Sequence, residues 1–139
     1  MPSAANGSFL WPVRGRIISG YGPKSDGMHN DGINIAASKG TPVAAAAAGT
    51  VAYVGNELRG FGNLVLIKHS NGYITAYAHL DKVSVTRGAS VARGATIGTV
   101  GQTGSVTSPQ LHFELRRGSA AIDPADHMAV LPQARSETG

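Results

Sequence analysis

The chain has no cysteine among its 139 residues, which excludes disulfides and thiolate metal sites but leaves the compartment open. Charge is also scarce. Only 14% of residues are charged, and the net charge of +4 is spread over lysines and arginines that stand singly apart from Arg116-Arg117. No basic run interleaves with aromatic residues, so the surface lacks the footprint of a nucleic-acid-binding face. There is no apolar run long enough to span a membrane and no signal-peptide pattern, which is compatible with an exported protein whose signal lies upstream. Disorder is excluded by the 42% of hydrophobic residues. What the chain has in quantity is glycine, 19 residues, together with seven prolines. That composition and length point to one turn-rich β domain.

Met1 to Ser8 has linker composition and is expected to lead from a longer protein into a domain over 9–128, with a frayed tail over 129–139. Phe9 to Ser19 reads as a strand, interrupted by Pro12 and Gly15. Trp11 is expected in the core or at the edge of a groove. A polar loop, Tyr21 to Asn30, delivers the chain to Asn30-Asp31-Gly32-Ile33-Asn34-Ile35. There Asn30, Gly32 and Asn34 share one face, and Ile33 and Ile35 the other. The alanine run Ala44 to Ala48 favours helix by propensity, but it is too short to nucleate one between Pro42 and Gly49, so a strand is expected.

Leu64 to Ile67 is apolar on both faces and should lie centrally in a sheet. The Asn71-Gly72 turn marks a hairpin. After it, strict alternation places Tyr73, Thr75, Tyr77 and His79 on one face and Ile74, Ala76, Ala78 and Leu80 on the other. The pieces Gly40-Thr41-Pro42-Val43 with Gly49-Thr50-Val51 echo Gly88-Ala89-Ser90-Val91 with Gly98-Thr99-Val100. Reuse of glycine in β turns is enough to account for the echo. His69 and His127 have no partner pattern and receive no role. A helical turn is expected over Ala125 to Met128.

Ser108 to Arg116 is the stretch around which the rest is organised. Leu111, Phe113 and Leu115 alternate with Gln110, His112, Glu114 and Arg116, the period of a half-buried strand. Gln110 and His112 point the same way, roughly 7 Å apart along the strand, close enough to serve one ligand. Two histidines there would read as a metal or acid/base pair, but the first position is a glutamine.

These pieces, in order, carry a family resemblance over Phe9 to about Met128. Trp11-Pro12-Val13-Arg14-Gly15, Gly32-Ile33-Asn34-Ile35-Ala36-Ala37, Gly40-Thr41-Pro42-Val43, Gly62-Asn63, Tyr77-Ala78-His79-Leu80, Gly101-Gln102-Thr103-Gly104 and Leu111-His112-Phe113-Glu114 resemble the LytM, or lysostaphin-type, zinc endopeptidase domain of peptidoglycan hydrolases. The resemblance implies a mostly β fold of the duplicated hybrid motif kind, with an antiparallel sheet flooring a groove. It implies a zinc held by a histidine, an aspartate four residues on and the second histidine of a His-x-His strand. Two further catalytic histidines are the first of that pair and the one in Tyr-x-His-Leu.

Carried onto this chain, the zinc histidine falls on Asn30, the aspartate on Asn34 and the first member of the pair on Gln110. Only His79 and His112 remain. A catalytic zinc needs three protein ligands and an open place for water, so neither zinc nor peptide hydrolysis is expected. His29 and Asp31 lie one residue out of register, which turns them to the other face. His79 and His112 are read in two ways: as kept for order, with Tyr77 and Gln110 as their expected hydrogen-bond partners, or as kept for proton transfer.

The resemblance is closest to the degenerate LytM domains of the NlpD, EnvC and DipM kind, which act in bacterial cell division by binding and activating N-acetylmuramoyl-L-alanine amidases in the periplasm, at the division site. It implies an empty groove that docks a periplasmic amidase or another cell-wall hydrolase, without a cofactor. Arg59 and Phe61 would anchor the partner, with Asn30, Asn34, Gln110, His112, His79 and Tyr77 around the floor. Two alternatives stay open: a passive peptidoglycan-binding module, and a zinc endopeptidase with an unusual ligand set.

Overall fold

The computed structural model describes residues 9–129. Expectations for Met1 to Ser8 and for 130–139 lie outside the described residues. The glycine-punctuated apolar segments become twelve short strands: β1 (Ile17–Ser19), β2 (Gly22–Pro23), β3 (His29–Asn30), β4 (Ile33–Ala36), β5 (Pro42–Ala44), β6 (Gly49–Gly55), β7 (Asn63–Lys68), β8 (Tyr73–Val83), β9 (Ser90–Val91), β10 (Thr96–Val100), β11 (Gln110–Arg117) and β12 (Ala120–Ile122). Ten of them form one antiparallel sheet in the order β1-β4-β11-β8-β7-β6-β9, with β10 joining β5 to β8 and β12 beside β11; β2 and β3 form a separate ribbon. No helix among the described residues is long and apolar enough to cross a membrane.

The sheet is apolar on both sides. Its inner face carries Ile33, Ile35, Val65, Ile67, Tyr77, Leu111, Phe113 and Leu115 into the main core. A smaller cluster, Leu64, Ala76 and Ala78 with Tyr53, Phe61 and Leu66, covers part of the outer face. Strand β11 runs between β4 and β8. Because it is flanked on both edges and covered on both faces, Gln110 to Leu115 are all buried, including the polar residues. A half-buried strand was expected here, and only its alternation survives. Gly32 explains the close fit, because a β-carbon there would run into the Phe113 carbonyl.

Three local expectations are corrected. Phe9 to Ser19 is regular only over β1, and the preceding residues run as irregular chain over the core, with Gly15 so close to the Ala36 carbonyl that no side chain fits. The alanine run leaves the sheet at Ala44. Beyond it, Ala45, Ala46 and Ala47 are buried without being a strand. Their small side chains let other segments come close: Leu10 N–H donates to Ala46 O at 2.8 Å, and Gly94 N–H to Ala45 O at 2.9 Å. Finally, Ala129 is not frayed, since its N–H donates to Phe9 O at 2.7 Å and its carbonyl accepts from Trp11 Nε1 at 2.9 Å. The turn expected after Pro124 is present as a single 3-10 turn, Pro124–His127.

The glycine echo also proves to be geometric. Gly40 N–H donates to Val100 O and Val100 N–H to Thr41 O, each at 2.8 Å; Gly88 N–H donates to Val51 O and Val51 N–H to Ala89 O, each again at 2.8 Å. Each leading piece therefore pairs with the trailing piece of the other echo. Gly40 and Gly88 occupy the same left-handed backbone region, at φ of 94° and 92°.

Candidate functional site

Strict alternation along β8 would put Tyr77 and His79 side by side. The structure separates them. Tyr77 pairs with Phe113 and is fully buried in the main core, so it does not line the floor. His79 has a left-handed backbone, φ of 66°, which is uncommon for a non-glycine residue and breaks the two-residue parity. Its N–H donates to Phe61 O at 2.8 Å, and its Nδ1 donates to Thr103 O at 2.8 Å. The ring lies edge-on to His112, with centroids 6.1 Å apart. The expected hydrogen bond from Tyr77 to His79 is absent, and Thr103 takes its place.

These bonds tie two loops into one wall. Ser105 N–H donates to Gly60 O at 3.0 Å, Asn63 N–H to Thr103 Oγ1 at 3.1 Å, and Thr103 Oγ1 to Leu80 O at 2.8 Å. Gly62 and Gly104 meet backbone to backbone, and a β-carbon on either would strike the other loop. Phe61 is partly buried against the outer cluster, with its ring 5.8 Å from that of His112. Arg59 and Leu58 lie exposed on the same loop.

The floor is a chain of amides. Gly32 N–H donates to Asn30 Oδ1 at 3.1 Å; Asn30 Nδ2 donates to Ser19 Oγ at 2.9 Å and to Asn34 Oδ1 at 3.1 Å; Asn34 Nδ2 donates to Gln110 Oε1 at 2.8 Å. Gln110 Nε2 ends the chain on Ser108. A backbone N–H can only donate, so the Gly32 bond fixes which atom of Asn30 is oxygen and, through it, the orientation of Asn34. Asn34 Oδ1 is also 3.1 Å from His112 Nδ1, which must then donate as well. The other ring nitrogen, Nε2, lies 2.8 Å from a carboxylate oxygen of Glu114. His112 is thus held from both sides of its ring, between Asn34 and Glu114. Its partners are Asn34 and Glu114 rather than the expected Gln110.

Glu114 is the site residue that the sequence reasoning passed over. Burial alone would raise its carboxyl, but the hydrogen bonds and charges of His112 and Arg116 outweigh burial and hold it below the ordinary carboxylate value. Arg116 Nε donates to the second oxygen at 2.8 Å, and Arg116 Nη2 lies 3.5 Å from Asp31 Oδ2. Its alternation with His112 was visible in the sequence; its burial was not. His29 and Asp31 pair with each other at 3.1 Å and are about half exposed, and neither contacts His112.

A second overlooked residue, His69, sits under the floor in the main core. Its Nδ1 donates to Ala48 O at 2.8 Å, and its Nε2 lies 2.7 Å from Thr75 Oγ1, which is 2.6 Å from Tyr77 Oη; Ala46 N–H donates to Tyr77 Oη at 2.9 Å. Burial lowers the His69 pKa. With the ring neutral, each hydroxyl donates onward in one direction and the network is complete.

Zinc does not fit this donor set. The Asn34 oxygen has both lone pairs engaged, both His112 nitrogens are engaged in hydrogen bonds, and Asn30 and Gln110 offer no imidazole. Among the described residues no group of three histidine or carboxylate side chains converges on one point.

Known proteins show the same architecture. Residues 28–124 match the model of Peptidase family M23. The chain is 49% identical over 134 residues to the cell division protein DipM of Caulobacter vibrioides, covering 94% of this chain and 22% of that protein. It is 44% identical over 126 residues to the murein hydrolase activator NlpD of Escherichia coli, covering 91% and 32%. The chain thus spans less than half the length of the curated relatives it matches. Among solved structures, a zinc-containing peptidase from Vibrio cholerae is 34% identical with a TM-score of 0.77, covering 94% of this chain and 41% of that one. The catalytic domain of lysostaphin from Staphylococcus simulans is 35% identical with a TM-score of 0.73, covering 78% and 88%. With the sheet, the floor and the family model in agreement over these residues, the chain belongs to peptidase family M23, as a LytM domain.

Proposed function

We propose that this domain is a non-catalytic member of its family, which binds and activates a cell-wall hydrolase, an N-acetylmuramoyl-L-alanine amidase, in the bacterial envelope during division. The observation that carries this reading is the amide floor. Asn30, Asn34 and Gln110 stand where the family places zinc and catalytic side chains, and their hydrogen bonds use up the atoms a metal would need. The names of the relatives, a murein hydrolase activator and a cell division protein, support the same direction. Arg59 and Leu58, exposed on the wall beside the floor, supply the kind of arginine and apolar anchor that dominates interfaces.

The mechanism is a population shift. The site binds a mobile segment of the amidase more tightly when the amidase is open, and this difference in affinity moves the amidase toward its active state. Dye release from labelled sacculi is the test, with the domain alone, the amidase alone and both together. Release only from the pair supports an activator. Release by the domain alone would refute the non-catalytic reading.

A further inference from the structure

We propose that His79 Nε2 is the hydrogen-bond acceptor by which this site recognises a neutral donor, a backbone N–H or a hydroxyl, on the amidase segment that docks there. The proposal rests on the activator reading and names the chemistry of its contact. Its starting point is an accounting of polar atoms on and around the floor. Asn30 Nδ2, Asn34 Nδ2, Gln110 Nε2, both nitrogens of His112 and Nδ1 of His79 all have partners. His79 Nε2 has none among the described residues, yet it is not sealed from solvent, as the one such buried and unpartnered side-chain atom there is His127 Nδ1.

The tautomer follows from the partner. Thr103 O can only accept, so the ring proton sits on Nδ1 and the Nε2 lone pair is free. Burial, and to a lesser degree the nearby His112 charge, oppose protonation of this ring and outweigh the Thr103 bond that favours it. The acceptor is also preorganised. The left-handed backbone, the N–H bond to Phe61 and the Nδ1 bond to Thr103 hold a residue that is only 5% exposed in one orientation, so little ordering remains to be done on binding.

Covering a free acceptor without supplying a donor costs the partner its desolvation. A segment with a donor at that point is therefore selected over one without. The donor is neutral, because the ring is only 5% exposed and a charged donor would have to be desolvated to reach it. A carboxylate has no proton to give.

The variant that isolates this atom is His79→Asn. Asparagine tolerates the left-handed backbone, and its Nδ2 can donate to Thr103 O in place of Nδ1, but it has no atom where Nε2 stands. Binding of the purified amidase should weaken about tenfold, the equivalent of one hydrogen bond, while the urea midpoint stays near that of the parent. A second readout needs no variant: the Nε2 nitrogen resonance of His79 should move upfield, toward a hydrogen-bonded value, when amidase is added. If amidase binds the parent and His79→Asn equally and the resonance stays put, the acceptor role is overturned while the activator reading stands. If the parent neither binds nor stimulates amidase, both fall. A response of the resonance to zinc chloride alone or to sacculi alone, without one to amidase, also overturns the proposal.

Discussion

Two polar chains, each containing a histidine, lie on opposite faces of the same sheet. The inner one runs from Ala46 through Tyr77, Thr75 and His69 to Ala48 and begins and ends on backbone. The outer one runs from Gly32 through Asn30, Asn34, His112 and Glu114 to Arg116, and it ends on charged side chains near the surface. Both are built from residue types that could serve catalysis. The inner chain pins the buried alanine run beneath the sheet, so its value is stability. The outer chain lies, on the proposed reading, where the family holds its metal, so its value there is what it prevents and what it leaves open. Similar chemistry does different work because one end is closed by backbone and the other, on the proposed reading, faces a partner.

The largest test of this contrast is to rebuild the family ligand set on the outer face. Asn30→His, Asn34→Asp and Gln110→His together should convert a domain that loses zinc on dialysis into one that retains about one equivalent, measured by metal analysis of the dialysed protein. Failure to retain zinc would mean that the amides are not what separates this site from a metal centre. On the inner face, Tyr77→Phe should cost about 1–3 kcal/mol in urea unfolding, because it strands the buried Ala46 N–H. A cost near zero would show that the inner chain is not structural.

Acid should weaken both faces in sequence. His69 and His79 have lowered pKa values in the folded protein, so the unfolded chain takes up protons first as pH falls. The stability they contribute is complete above their unfolded value, about 6.5, and declines as pH falls toward their folded values. Glu114 is also lowered; its contribution is present above about 4.3 and is lost below that. Urea midpoints at pH 7.5, 5.5 and 4 should fall in that order, and a flat profile from 7.5 to 5.5 would contradict the buried neutral histidines. The smallest effect on stability belongs to Arg59→Glu, expected within about 0.5 kcal/mol of the parent because the side chain is exposed. The same change should abolish amidase activation, and unchanged activation would remove Arg59 as an anchor.

Much of this was legible in the sequence because it depends on residue type and spacing alone. Glycine and proline punctuation announced a β domain, and alternation identified Gln110 to Arg116 as a strand with Gln110 and His112 on one face. Neutral amides at three positions of the family resemblance carried the expectation that the usual zinc chemistry is absent. Other features had no local signal. One left-handed residue, His79, reversed the parity of β8 and parted it from Tyr77; no pattern in Tyr77-Ala78-His79-Leu80 encodes that φ, which depends on Phe61 and Thr103 arriving from distant loops. The burial of Glu114 required β4 and β8 on either side of β11, and the role of His69 required the alanine run to fold over it. The glycine echo was visible as letters, but its crossed pairing required both halves to be in place. Composition and period thus determined which elements form, and the family resemblance named the positions at which amides stand in place of ligands. Only the tertiary structure decided which polar atoms around the floor are satisfied and which is left free, because hydrogen bonds across 24 to 78 residues of chain depend on where the segments meet.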